Sequence, residues 1–335
     1  MKYKDILSEQ AKKLNMAYRY WPYYLYHFSD IHNIVSILEE GAILSRNATK
    51  HRGMMASDNS SEIVIRKTKE EAYDYARLYF RPLTPTQYHN EGYKPAEVRD
   101  IEINASCPVP IFLVMDADAI LSMENTFFVE QGIAGTGHAK KTGIEEFQNL
   151  DFEQIYDNRI YSGDKWKTAK KYRMSEVIRE NGFPIDNVLK AIICRSKAER
   201  NTLLYLLKEK SDRLYEKYKS MIHVRADFEC FYYNGLYVED VHIRNNILDI
   251  DFNDPAIRGY HVAKVDMKIK LLFCDFEGNV TNEQEYHRVV DYDSSVGFQI
   301  PIDDPILSDS VRITILFDGI EIFKDVLYIS EDVMI

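Results

Sequence analysis

KWKTAKKYRMSEV, residues 165–177, places five basic residues, two aromatics and one carboxylate in thirteen positions. Lys165, Lys167, Lys170, Lys171 and Arg173 alternate with Trp166 and Tyr172 in what reads as a charged loop. The residues that follow, MSEVI, read as a strand. In strand geometry Met174, Glu176 and Ile178 share one face, while Ser175 and Val177 point the other way. A carboxylate between two apolar neighbours sits either at a solvated edge or in a cleft. These residues alone leave both readings open.

The 335-residue chain is long enough for two domains. Its 45% hydrophobic and 28% charged content fits an ordinary soluble protein. No apolar run reaches the length of a membrane helix, and the start, MKYKDILSEQ, lacks a secretory apolar core. Cys107, Cys194, Cys230 and Cys274 are scattered without metal-ligand spacing, so the expectation is reduced thiols, no metal site and a cytoplasmic location. The net charge of −11 is unevenly spread. Residues 225–335 hold 9 basic and 22 acidic side chains, whereas residues 1–224 hold 33 and 31. The acidic tail would repel a polyanion, and the front part would not.

Residues 1–16 have helical spacing (Ile6, Ala11, Leu14), and YLYHF reads as a buried strand ending at His27. Ser29 or Asp30 can cap the helix DIHNIVSILEE, which Gly41 closes. Residues 46–61 read as a polar binding or disordered loop, followed by a short strand EIVIR. KEEAYDYARLYF reads as a helix with Ala72, Tyr75, Ala76 and Tyr79 on one face, stopped by Pro82. RPLTPTQYHNEGYKP, rich in proline, reads as irregular. Strand PIFLVM, helix DADAILS, strand TFFVE and a glycine-spaced loop QGIAGTGHAKKTG come next, and that loop is no Walker motif. Residues 144–157 read as helical. Strand VLKAIIC and helix SKAERNTLLYLLKEK close a first domain, residues 1–220.

The tail changes character. CFYYNGLYVEDVHIR, HVAKVDMKIKLLFCDF, RVVDYD, VRITILFDG and IEIFKDVLYIS are strand-like, separated by turn signals at Asn234-Gly235, Glu277-Gly278 and Asp318-Gly319. Seven or eight strands predict an all-β antiparallel sandwich over residues 225–335.

Three blocks in order resemble the DarT family of ADP-ribosyltransferase toxins, which modify DNA bases using NAD. The first is Tyr26-His27-Phe28-Ser29 leading into Asn33. The second is Tyr79-Phe80-Arg81-Pro82-Leu83-Thr84-Pro85 through Tyr88. The third is Arg173-Met174-Ser175-Glu176, where the family has its catalytic glutamate. The resemblance covers residues 20–215 and implies an α+β ADP-ribosyltransferase-like domain ahead of the sandwich. Two departures stand out: Ser29 replaces a threonine, and the family's arginine in the second block falls on Leu83.

The resemblance implies a nucleic-acid ADP-ribosyltransferase using NAD as donor, the toxin of a toxin–antitoxin or phage-defence locus. Breaking the nicotinamide–ribose bond passes through a cationic state that a fixed carboxylate stabilises, and Glu176 suits that role. Arg81 is the expected guanidinium. His27, Ser29 and Asn33 are expected on the adenosine side of NAD, with Tyr79 and Phe80 walling the nicotinamide. Arg46, with His51 and Arg52, lies where it could reach the pyrophosphate or simply be solvated. The 165–173 segment is expected to bind single-stranded DNA or RNA, with lysines on phosphates and an aromatic on a base. A cognate antitoxin, bound through the acidic tail, is the expected protein partner. The alternatives are transfer to a protein or small molecule, and a degenerate NAD-binding module. Met174, two residues before Glu176, argues against an arginine acceptor.

Overall fold

The computed structural model describes residues 2–53, 70–100, 105–133, 139–224, 228–302 and 309–329. The chain folds as two compact units. The first comprises Met1–Glu91, Asp100–Ile193 and Met221–Tyr232, and the second Gly92–Arg99, Cys194–Ser220 and Tyr233–Ile335.

The first unit is α+β. In chain order come α1 (Tyr3–Lys13), β1 (Tyr24–Asp30), α2 (Ile31–Glu40), β2 (Ala42–Ile43), α3 (Arg46–His51) and β3 (Ala76–Tyr79). Then follow α4 (Pro85–Asn90), β4 (Pro110–Asp116), α5 (Ala117–Leu121), β5 (Thr126–Val129), α6 (Ile144–Gln148) and α7 (Phe152–Ile155). Helix α8 (Gly163–Tyr172), β6 (Glu176–Arg179), β7 (Phe183–Pro184), β8 (Leu189–Cys194) and β9 (Ile222–Val224) complete it. Seven of these strands form one sheet in the order β5-β6-β3-β1-β4-β8-β9. The apolar run Ile111–Met115 of β4 is fully buried, as a strand covered on both faces requires. Asp30, rather than Ser29, caps α2 by accepting from the His32 N–H at 3.2 Å. Gly41 ends that helix at φ 75°, and Ile31, Ile34, Val35 and Leu38 bury its apolar stripe.

Five segments differ from expectation, each for a local reason. Residues 46–51, expected within a polar loop, form α3, capped by Ser45 Oγ accepting from the Ala48 N–H at 3.2 Å. Residues 76–79 form strand β3 instead of ending a helix. Ala72, Tyr75, Ala76 and Tyr79 do fall at helical spacing. Yet Ala76, Leu78 and Phe80 also alternate with Arg77 and Tyr79, and β3 has a strand on either side to satisfy its backbone. Within the proline-rich stretch Thr84 caps α4, accepting from the Gln87 N–H at 3.2 Å, with Pro85 in the first turn. The basic stretch is helix α8 rather than a loop, with Asp164 in its first turn and Lys170 and Lys171 in its last, where they complement the helix dipole. The segment 144–157 breaks into α6 and α7, since Asn149 caps the one and Asp151 starts the other. The strand expected at EIVIR and the loop residues Gly135 and Gly137 lie outside the described residues.

The second unit holds α9 (Lys197–Lys210), α10 (Asp212–Tyr218) and β10 (Val238–Arg244) through β11 (Ile247–Phe252), β12 (Lys264–Cys274), β13 (Val280–Asp291), β14 (Gly297–Pro301), β15 (Ser310–Phe317) and β16 (Ile320–Tyr328). These strands form two antiparallel sheets, β10-β11-β14 and β13-β12-β15-β16. Their alternation puts Val265, Met267, Ile269, Leu271 and Phe273 inward with Val311, Ile313, Ile315 and Phe317. Phe317 meets Phe252 of the other sheet with ring centroids 5.9 Å apart. The β15–β16 hairpin turns at Asp318-Gly319 with φ of 46° and 79°, the left-handed pair such a turn demands. Helix α9 packs on β16, where Thr202 Oγ1 accepts from the Lys324 N–H at 3.1 Å.

Candidate active site

Glu176 opens β6 and is 1% exposed, so its carboxylate lies inside the first unit. In register it stands beside Tyr79 of β3 on one side and Val129 of β5 on the other. Its Oε2 accepts from the Ile133 N–H at 3.0 Å. Burial pushes its pKa up, while the Arg77 charge, the Ile133 N–H and the Tyr79 hydroxyl pull it back. The turn that delivers Ile133 requires Gly132, which has φ 81°. A Cβ there would lie 2.9 Å from the Met174 carbonyl oxygen and 3.8 Å from Glu176 Cδ. Ser175 anchors the same turn, accepting from the Gln131 N–H at 3.2 Å.

Tyr79 pairs with Glu176 in register and faces the same side, with its hydroxyl near enough to pull the carboxylate's pKa down. Arg77 lies two residues earlier on β3, hence on the same face. Sequence reasoning missed it. The signal was its alternation with Tyr79, visible only once residues 76–79 are read as a strand. His27 approaches β3 through the backbone, with Nδ1 3.3 Å from the Arg77 carbonyl oxygen. Burial lowers its pKa to about 4, partly opposed by that hydrogen bond. Ser29 and Asn33 come together, the Asn33 amide donating to Ser29 Oγ at 3.2 Å across the start of α2.

Other expected residues are engaged elsewhere. Phe80 is 1% exposed and packs against Phe147 in the core. Arg81 is fully buried. Its Nε donates to the Pro82 carbonyl at 2.9 Å, Nη1 to the Asp157 carbonyl at 2.6 Å and Nη2 to Asn158 Oδ1. Its guanidinium also lies 4.5 Å from the Trp21 ring centre. Every nitrogen is therefore spoken for, and the group acts as a strut between the end of β3 and residues 157–158. Leu83 holds φ 58°, a strained value for a leucine, fixed by Gln87 Oε1 on its N–H and Tyr232 Oη on its carbonyl. Arg46 starts α3 and lies over the Tyr73 ring, while Arg52 pairs with Glu40.

On α8, Lys165, Trp166, Lys167, Lys170 and Lys171 are exposed and Tyr172 is partly so. Lys167, Lys170 and Lys171 fall at i, i+3 and i+4, which gathers them on one helix face. Arg173 differs: it is buried and donates to the Asp157 and Arg159 carbonyls at 3.0 and 2.6 Å. Its guanidinium lies 5.3 Å from the ring centre of Trp166. Among the described residues no group of three or more His, Cys, Asp or Glu gathers to hold a metal, and no described helix is long and apolar enough to cross a membrane.

An α+β sheet with a buried, hydrogen-bonded glutamate at a strand start, followed by antiparallel β-sheets, defines the class of this chain. Residues 26–221 match the DarT family, described as ssDNA thymidine ADP-ribosyltransferase, and the chain belongs to that family. Among solved structures it is similar to Thermus sp. 2.9 DarT in complex with NAD+, at 18% identity over 62% of this chain and 97% of that one, with TM-score 0.46. The complex of Thermus sp. 2.9 DarT with ADP-ribosylated ssDNA matches at 18% identity, 62% and 96% coverage, and TM-score 0.44. No curated protein matches the chain.

Proposed function

We propose that the protein is an NAD-dependent mono-ADP-ribosyltransferase that modifies a thymidine in single-stranded DNA, as the toxin of a toxin–antitoxin or phage-defence locus. The supporting observation is the Glu176 carboxylate, buried and held by the Ile133 N–H with the Tyr79 hydroxyl beside it. In that reaction the bond between nicotinamide and ribose C1′ breaks and nicotinamide leaves. A thymine ring nitrogen bonds to C1′, and its proton passes to Glu176. The carboxylate first stabilises the oxocarbenium-like charge on the ribose, then accepts that proton. His27, Ser29 and Asn33 hold the adenosine side, and Tyr79 walls the nicotinamide. Helix α8 offers Lys167, Lys170 and Lys171 to phosphates and Trp166 or Tyr172 to a base. The acidic second unit takes the regulatory partner, an antitoxin or other protein.

Incubation with labelled NAD and separate pools of single-stranded DNA, RNA and cell protein tests this reading. Label should enter the DNA pool and vanish with Glu176→Gln. Label in the RNA or protein pool selects another acceptor, and none anywhere refutes transferase activity.

A further inference from the structure

Arg81, the guanidinium expected at the site, has all its nitrogens engaged by the protein itself. A different arginine stands next to the catalytic carboxylate. Arg77 lies on the same face of β3 as Tyr79, and Tyr79 pairs in register with Glu176. Its Nη2 donates to the Ala72 carbonyl at 2.8 Å, which fixes the side chain in place. Among the described residues its Nε and Nη1 carry no hydrogen bond, and no salt bridge closes between Arg77 and Glu176. The Arg77 side chain is only partly buried. A guanidinium held still beside a carboxylate, yet not paired with it, has donors in hand for a second anion.

We infer that Arg77 is the residue of this site that contacts the diphosphate of the ADP-ribose donor. The inference rests on the function proposed above. Its geometry follows from the sheet. Residues two apart on a strand are about 7 Å apart, so a donor whose ribose meets Glu176 at the Tyr79 position brings its diphosphate one step along β3, to Arg77. The paired N–H groups of a guanidinium match the oxygens of a phosphate in a way a lysine does not. Such a contact is made equally by NAD and by ADP-ribose, and it does not require Glu176. It also leaves the Arg77 charge close enough to favour the ionised form of Glu176. Among the described residues the other groups near that carboxylate are Tyr79 on β3 and the Ile133 N–H from the turn, and both remain when Arg77 is changed.

The test measures ADP-ribose binding by calorimetry on the full chain, comparing wild type, Arg77→Met, Arg77→Lys, Arg81→Met and Glu176→Gln. Methionine keeps the apolar stem, and melting temperature checks that each variant folds. Arg77→Met should weaken ADP-ribose binding about tenfold to a hundredfold, with Arg77→Lys in between. Added guanidinium ion should restore part of the affinity of Arg77→Met. In turnover, Arg77→Met should raise KM for NAD more than it lowers kcat. Arg81→Met should instead lower the melting temperature and spare the affinity of the folded protein. Wild-type ADP-ribose affinity in folded Arg77→Met overturns the inference, and if Glu176-dependent labelling of DNA persists, the proposed function survives that failure. A wild-type chain that neither binds ADP-ribose nor labels DNA overturns both.

Discussion

Gly132→Ala probes the link between the glycine turn and the carboxylate proposed as catalytic. At φ 81° an L side chain carries strain of about 1–2 kcal/mol. The new Cβ would also stand 2.9 Å from the Met174 carbonyl oxygen, a backbone atom with no freedom to swing aside. Relief requires the turn to move outward by a few tenths of an ångström or more, which carries the Ile133 N–H away from Glu176 Oε2. A hydrogen bond to a charged acceptor contributes about 1.5–3 kcal/mol. Losing it should lower transfer at neutral pH by roughly tenfold to a hundredfold, with global stability down by about 2 kcal/mol. The pH dependence gives the signature. In the proposed reaction Glu176 works as the carboxylate; burial already raises its pKa, and the Ile133 N–H is one of the groups opposing that rise. Removing the donor raises the pKa further, so the acidic limb of the rate profile should move to higher pH and activity should partly recover in alkaline buffer. Initial rates of label transfer to single-stranded DNA across the pH range, with urea unfolding in parallel, measure both effects. A Gly132→Ala protein that is destabilised yet keeps the wild-type rate profile would refute the reasoning, because the turn would then be structural only.

Two further outcomes follow from other parts of the first unit. His27 has its pKa lowered from 6.5 to about 4, so the unfolded chain binds its proton first as the pH falls. Its contribution is full above pH 6.5 and is lost towards pH 4, a difference of at most about 3 kcal/mol that His27→Gln should remove from the pH dependence of urea unfolding. On α8, neutralising Lys167, Lys170 and Lys171 together should flatten the salt dependence of single-strand binding by about two units of log–log slope and spare ADP-ribose binding. An unchanged slope would move the nucleic-acid contact off this helix.

Much of the scaffold was legible because its signals were local. Asp30 and Gly41 bracket α2, the apolar run of β4 announces a covered strand, and Ser196 caps α9 by accepting from the Glu199 N–H at 3.1 Å. The tail was legible as antiparallel sheets from alternation and turn chemistry, although β11 and β14 escaped notice. What failed was context. Nothing near Arg81 in sequence shows that Asp157 and Asn158, some 76 residues on, will consume its nitrogens. Nothing near Arg173 shows that the Asp157 and Arg159 carbonyls will do the same. Long-range hydrogen bonds of this kind have no sequence period, so they cannot be read from spacing.

Arg77 is the instructive case, because one choice of period hid it. On a helix through residues 69–80 the apolar face is Ala72, Tyr75, Ala76 and Tyr79, and Arg77 falls outside that face among solvated charges. On a strand the same residue shares its face with Tyr79. The two patterns coexist in ARLYF, and local propensity does not choose between them. What chooses is the availability of β1 and β6 as neighbours, since a strand satisfies its backbone only through partners distant in sequence. Glu176 itself lies on one of those partners. The strand that carries the carboxylate is thus one of the two that make residues 76–79 a strand, and by doing so it turns Arg77 towards its own site.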